Sequence, residues 1–149
     1  MSRRKKWTAR PFESQGQKFE DPVTGAIRND TSANIFESML LHPAFTTLKP
    51  RQQMLYVVCK AQFYGHRKPS QDFPDIEDVK DDSCFYMNRE LAVRYGNYTK
   101  SMGKELYSDL KELQKRGFIE CVSNGKSTKS KSVYRFTSNW KYWKPDEES

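Results

Sequence analysis

At 149 residues the chain suffices for one domain with a hydrophobic core and is too short for two of ordinary size. Its 36% hydrophobic share is lean but lies above the disordered range, and no apolar run approaches the length of a membrane-spanning helix. Lysine and arginine (26) outnumber aspartate and glutamate (19), and the resulting formal charge of +7 suggests a polyanionic partner.

Residues 1–34 read as a basic, largely disordered arm. They are polar and rich in Gly and Pro, and no apolar period persists. The start "MSRRKKW" lacks the apolar stretch of a signal peptide. Three cysteines, Cys59, Cys84 and Cys121, are odd in number and far apart, with no CxxC pair; His42 and His66 are equally scattered. That spacing argues against a disulfide framework and a zinc site, so neither metal nor cofactor is expected. Buried thiols in a reducing compartment, a soluble protein and a cytoplasmic location are expected instead, which makes the sequons "NDT" and "NYT" accidental.

Order is expected from residue 35 to 144, with 145–149 a disordered tail. Ser32 or Asn34 caps a short helix bearing Ile35, Phe36, Met39 and Leu40, which Pro43 interrupts. A second helix runs from Pro50 to about Phe63 with Gly65 ending it, Met54, Val58 and Ala61 forming its stripe beside Leu55, Val57 and Gln62. Residues 66–83 then form an acidic loop insertion, with Asp72, Asp75, Glu77, Asp78, Asp81 and Asp82 on a surface that faces away from any polyanion. "CFYMN" is a short aromatic strand. Asn88 caps a two-turn helix that turns Leu91, Ala92 and Tyr95 inward and ends at Gly96. After a tight turn Thr99 caps a longer helix, "KSMGKELYSDLKELQKRG".

That long helix divides into sectors. Met102, Leu106, Leu110 and Leu113 make the buried stripe; Lys100, Lys104, Tyr107 and Lys111 share one sector, with Lys115 at its edge; Glu105, Asp109 and Glu112 take the remaining flank. Lys100 and Lys104, four apart, repel, which suggests compensation from outside the chain. A major groove admits such a helix: Ser101, Lys104 and Ser108 are placed for base edges, and Lys100, Tyr107 and Lys111 for phosphates. Gly103, costly inside a helix, suggests a close approach there. A hairpin follows, with Ile119 and Cys121 in one strand and Tyr134 and Phe136 in the other. Its long tip "SNGKSTKSK" holds Asn124, Lys126, Lys129 and Lys131 without an acid, suited to a neighbouring phosphate or minor groove. Arg3, Arg4, Lys5 and Lys6 of the arm are accessory contacts of the same kind. "SNWKYWKP" packs Trp140 and Trp143 beneath the sheet or supplies a dimer contact.

The stretch "MNRELAVRYGNYTKSMGKELYSDLKELQKRGFIECVSNG" resembles the winged helix-turn-helix family of DNA-binding proteins, most of all regulators and initiator or transfer accessory proteins of bacterial mobile elements. The resemblance covers about a third of the chain. It implies an α+β fold, mainly helical with a small antiparallel hairpin wing. It also implies a non-enzymatic, sequence-specific binder of double-stranded DNA, serving transcription control or the replication or transfer of a plasmid or mobile element. A homodimer and replication or transfer proteins are further partners it suggests, and a winged helix used as a protein-docking module is the alternative. The acidic insertion departs from compact members of the family. No nucleophilic triad, Gly-rich phosphate loop or tyrosine-nuclease motif stands out.

Overall fold

The computed structural model describes residues 18–30, 34–65, 68–79, 83–123 and 132–145. Contacts separate residues 1–31 from residues 32–149 as two compact units. In the first, β1 (Lys18–Glu20) pairs antiparallel with β2 (Ile27–Asn29), a hairpin inside the stretch expected to lack structure. The buried Asp21 carboxylate fixes its turn, accepting from the Val23 and Thr24 amides at 2.8 and 3.3 Å and from Arg28 Nε at 3.2 Å. Arg28 also lies 4.6 Å over the Phe19 ring. Side-chain capping of a turn by aspartate thus supplies locally what apolar periodicity did not.

The second unit is mixed α+β. It contains α1 (Glu37–Leu40), α2 (Pro43–Thr46), α3 (Pro50–Gly65), α4 (Pro69–Asp72), β3 (Cys84–Tyr86), α5 (Arg89–Arg94), α6 (Gly103–Lys115), β4 (Ile119–Ser123) and β5 (Val133–Phe136). Pro43 opens α2 rather than merely ending α1. The missing amide is harmless at a first helical position, and His42 caps the helix by accepting from the Ala44 amide through Nδ1 at 3.0 Å. Helix α3 is buried along Gln52, Leu55, Tyr56, Val58, Cys59 and Gln62, whereas Met54 is 48% exposed. Apolar side chains occupy consecutive positions from Met54 to Val58, so their spacing alone leaves the inward face of α3 unresolved.

The segment expected as an acidic loop holds two helical turns, α4 and a 3-10 turn at Glu77–Val79. At the start of α4 the Gln71 side-chain oxygen accepts from the Lys68 amide at 3.1 Å, and the Gln71 amide donates to the Lys68 carbonyl at 3.0 Å. Val79 is fully buried in a small second core with Cys84, Tyr86 and Val133, and Asp72 accepts a 2.7 Å bond from the Tyr86 hydroxyl. The insertion is therefore anchored to the sheet by both apolar and polar contacts.

The sheet has the order β3-β5-β4, antiparallel throughout, with β5 central. Phe85 stands opposite Tyr134, and Ile119 opposite Phe136; the β4–β5 register slips between Cys121 and Ser123. One aromatic cluster joins sheet to helices. Tyr56 meets Phe118 and Phe136 edge-on at 5.3 and 5.8 Å, and Phe85 stacks on Phe136 at 4.4 Å. The C-terminal 3-10 turn Asn139–Tyr142 closes this core: Trp140 stacks on Phe118 at 6.1 Å, and Arg116 lies 4.5 Å over the Trp143 ring. Both tryptophans pack inside the unit, while Tyr142 is 80% exposed. Among the described residues no helix is long and apolar enough to cross a membrane.

Candidate nucleic-acid interface

Helix α5 and the turn after it set the approach to α6. Asn88 caps α5 by accepting from the Leu91 amide at 2.9 Å, and Gly96, at φ +79°, ends it in the left-handed conformation that glycine adopts without strain. Ala92 is buried and Leu91 packs on the core, but Tyr95 is 37% exposed rather than inward.

The long helix begins at Gly103, not at Lys100. Met102 occupies its N-cap position without a side-chain bond, and residues 99–102 form a turn closed by the Met102 amide on the Thr99 carbonyl at 3.0 Å. The Thr99 hydroxyl, expected as the cap, lies 3.1 Å from the Ser101 hydroxyl instead. Gly103 therefore stands at the first helical position, where its low propensity matters little. A Cβ there would come no closer than 3.9 Å to Arg89 Cδ, so no close approach explains it. The shorter helix has a physical advantage: it avoids stacking Lys100 on Lys104 one helical turn apart.

From Gly103 onward the sectors follow α-helical geometry. Leu106, Asp109, Leu110 and Leu113 are buried, and Lys104, Tyr107, Ser108, Lys111 and Lys115 are exposed on the opposite side, within about 100° of arc. Among the described residues no acidic group pairs with these lysines. Glu112 on the flank bonds Arg116 at 2.8 Å instead. Lys100 and Ser101 are also exposed, but at the mouth of the preceding turn rather than on the helix. The candidates Asn124, Lys126, Lys129 and Lys131 of the hairpin tip, and Arg3, Arg4, Lys5 and Lys6 of the arm, lie outside the described residues.

Asp109 is the main departure from the expected pattern. Placed by spacing on an acidic flank, it is 1% exposed and gathers three partners from two other segments. Arg51 donates from Nε at 2.7 Å and from Nη2 at 3.3 Å, Gln52 from Nε2 at 3.1 Å, and the Tyr98 hydroxyl at 2.5 Å. Burial pushes the Asp109 carboxyl up, but the bonds from Arg51, Tyr98 and Gln52 outweigh it and hold the group below the usual carboxylate range. Burial, followed by the bond to Asp109, raises the Tyr98 hydroxyl well above its ordinary value. The inner side of α6 is thus pinned to the first turns of α3 and to the α5–α6 turn, which also meets α3 through Asn97 Nδ2 on the Arg51 carbonyl at 3.1 Å. At the far end, Arg116 donates to the Ala44 carbonyl at 2.9 Å and to the Thr47 hydroxyl at 2.6 Å. Both ends of the helix are fixed, and its lysine side is left to solvent.

Cys59 and Cys84 are buried and Cys121 is exposed, all three as free thiols; burial raises the Cys59 and Cys121 thiols above the ordinary range, which suppresses thiolate chemistry. Among the described residues no cluster of three metal-ligating side chains occurs. No known family model matches the chain, and no curated protein or solved structure matches it.

Proposed function

We propose that the chain is a sequence-specific double-stranded DNA-binding protein of winged-helix type, with α6 as the element that enters the major groove. One observation carries the reading: Lys104, Tyr107, Ser108 and Lys111 form a continuous exposed face, without acidic partners among the described residues, on a helix whose other side is locked into the core. A rigid cationic ridge of this kind meets phosphates with its lysines and base edges with its short hydroxyl. The element order supports it. Helix α3, strand β3, helices α5 and α6 and the hairpin β4–β5 follow in the order of the winged-helix pattern, with α4 and the turn Glu77–Val79 inserted between α3 and β3 and with β5 between β3 and β4. Control of transcription, or replication or transfer of a mobile element, is the setting that goes with this reading.

Duplexes selected from a random pool by the purified chain provide the test. An enriched sequence, with Lys104→Ala weakening the selected duplex at least tenfold, is the expected result. Enrichment of nothing, or equal retention of RNA and single strands at the same salt, overturns the reading. A second reading, a winged helix that docks a protein, rests on the exposed Phe36, Leu41 and Tyr142, at 69%, 72% and 80%. Partner capture that survives charge reversal at Lys104 and Lys111, without retained DNA, would select it.

A further inference from the structure

Helix α1 and the C-terminal 3-10 turn together carry an exposed apolar patch. Phe36 and Leu40 lie four positions apart at α1, and Leu41 follows at its C-terminal cap. His42 Nε2 stands 3.1 Å from the Lys141 carbonyl, and its ring meets Trp140 edge-on at 5.4 Å. Leu41 and Tyr142 flank that junction by one residue each, so their side chains belong to one surface. Trp140 and Trp143 pack on the core on either side of Tyr142, which is left outward.

Area and charge point to one kind of occupant. At roughly 150–200 Å² per side chain, the exposed fractions of Phe36, Leu40, Leu41 and Tyr142 present about 450 Å² of apolar surface. A stable interface covers about 800 Å² on each side, of which about 450–520 Å² is apolar, so the patch supplies the core of one such side. Its charges are arranged to match themselves. Glu37 lies one helical turn before Leu41, whose amide donates to the Glu37 carbonyl at 3.0 Å. Lys141 lies on the other side of Leu41, beside His42. Both charged side chains are exposed, and neither makes an ion pair among the described residues. The order across the patch is therefore acid, leucine, lysine. A two-fold axis near Leu41 brings Glu37 of one copy to Lys141 of the other, twice over, and closes the leucines and tyrosines between them.

We propose that this patch docks a second copy of the chain in an isologous dimer, with Leu41 and Tyr142 at its centre and Glu37 paired to Lys141 across the two-fold axis. The surface is joined to the far end of α6: Arg116 donates to the Ala44 carbonyl at 2.9 Å and lies over the Trp143 ring. About 18 Å of helix separates Arg116 from Lys104, so pairing leaves the lysine side of α6 uncovered at its first turns. The dimer stands independently of whether the chain binds DNA.

Sedimentation velocity on the full chain, kept reduced because Cys121 is an exposed free thiol, tests it from about 1 to about 200 µM. A monomer–dimer equilibrium with a midpoint on the order of 10 µM is expected. Leu41→Ser should weaken it at least about tenfold, and Glu37→Lys and Lys141→Glu at least about fivefold each. All three positions are exposed, so the variants retain the fold. The double reversal, Glu37→Lys with Lys141→Glu, should return the midpoint to within about threefold of the parent, which a loss of fold in either single variant would not allow. A chain that stays monomeric at about 200 µM, its patch then left to an unlike protein, overturns the proposal. So does a dimer that Leu41→Ser leaves intact, or a double reversal as weak as the single ones.

Discussion

Asp109 and Tyr98 form a pair whose protonation states are both set by folding. The Asp109 carboxyl is depressed in the folded chain, so its contribution is complete above the unfolded value of about 3.9 and is lost as pH falls through the folded value. The Tyr98 hydroxyl is raised, so its contribution is complete below about pH 10 and is lost as pH rises beyond that. Burial also raises the Cys59 and Cys121 thiols, which titrate at about 8.5 when unfolded, so urea midpoints should be flat from about pH 5 to about pH 7.5 and fall on both sides, with the acid limb shallower in Asp109→Asn. At pH 7 the same substitution should cost about 2–3 kcal/mol. It removes a charged acceptor from the Arg51 and Tyr98 donors, and Arg51 keeps a third of its side chain in water, which limits the loss. Gln62 gives the opposite sign. Gln62→Leu deletes an unpaired buried carbonyl and should raise stability by about 1 kcal/mol in the same measurement; a loss larger than that would mean that the amide is satisfied in solution. Neither network is legible in sequence. Arg51 and Gln52 lie 58 and 57 positions from Asp109, and one-dimensional spacing assigns an aspartate on an amphipathic helix to its wet flank.

Among the elements, those with a local signature were readable. Asn88 followed by a short apolar pattern and Gly96 gives α5 with its cap and its stop, and the aromatic run Cys84–Tyr86 gives β3. The hairpin strands and the end of α6 at Gly117 were equally visible. What failed was a choice between two competing local signals. Thr99 is a good cap, but the helix it would start stacks two lysines, and the chain turns once more before α6 begins. In the acidic stretch, composition masked Val79, Phe73 and Ile76, whose burial depends on a sheet that the segment itself helps to cover. Gly117 is the element-level residue with the least tolerance. Its φ is +87°, and a Cβ would lie 2.7 Å from the Asn139 carbonyl carbon and from the Trp140 nitrogen. Its own carbonyl accepts from the Trp140 amide at 3.1 Å and from the Thr137 hydroxyl. Gly117→Ala should cost roughly 2–4 kcal/mol and should loosen the Trp140–Phe118 stack, visible as a shift in tryptophan emission before global unfolding. Asn88→Ala, which removes only a cap, should cost about 1 kcal/mol and leave that emission unchanged.

Over the whole molecule the charge is unevenly used. Among the described residues Arg51, Arg116, Arg28 and Arg135 are held by Asp109, Glu112, Asp21 and Glu120, whereas Lys104, Lys111 and Lys115 on α6 meet no acidic partner. Arginine suits partly buried forks, and lysine suits a hydrated, non-committed contact with phosphate. That division makes the electrostatic reading quantitative. If Lys104 and Lys111 each neutralise one phosphate of a duplex, the slope of log K against log salt should become shallower by about 0.9 for each lysine removed. The double variant Lys104→Ala, Lys111→Ala should therefore differ from the parent by about 1.8 in slope between 50 and 200 mM salt, as read from fluorescence anisotropy on one duplex. Removal of the Glu112 charge, which lies on the flank and belongs to Arg116, should leave the slope within about 0.3 of the parent value. An unchanged slope in the double lysine variant would mean that whatever polyanion the chain binds is met elsewhere, and the outer side of α6 would then be no more than its hydrated face.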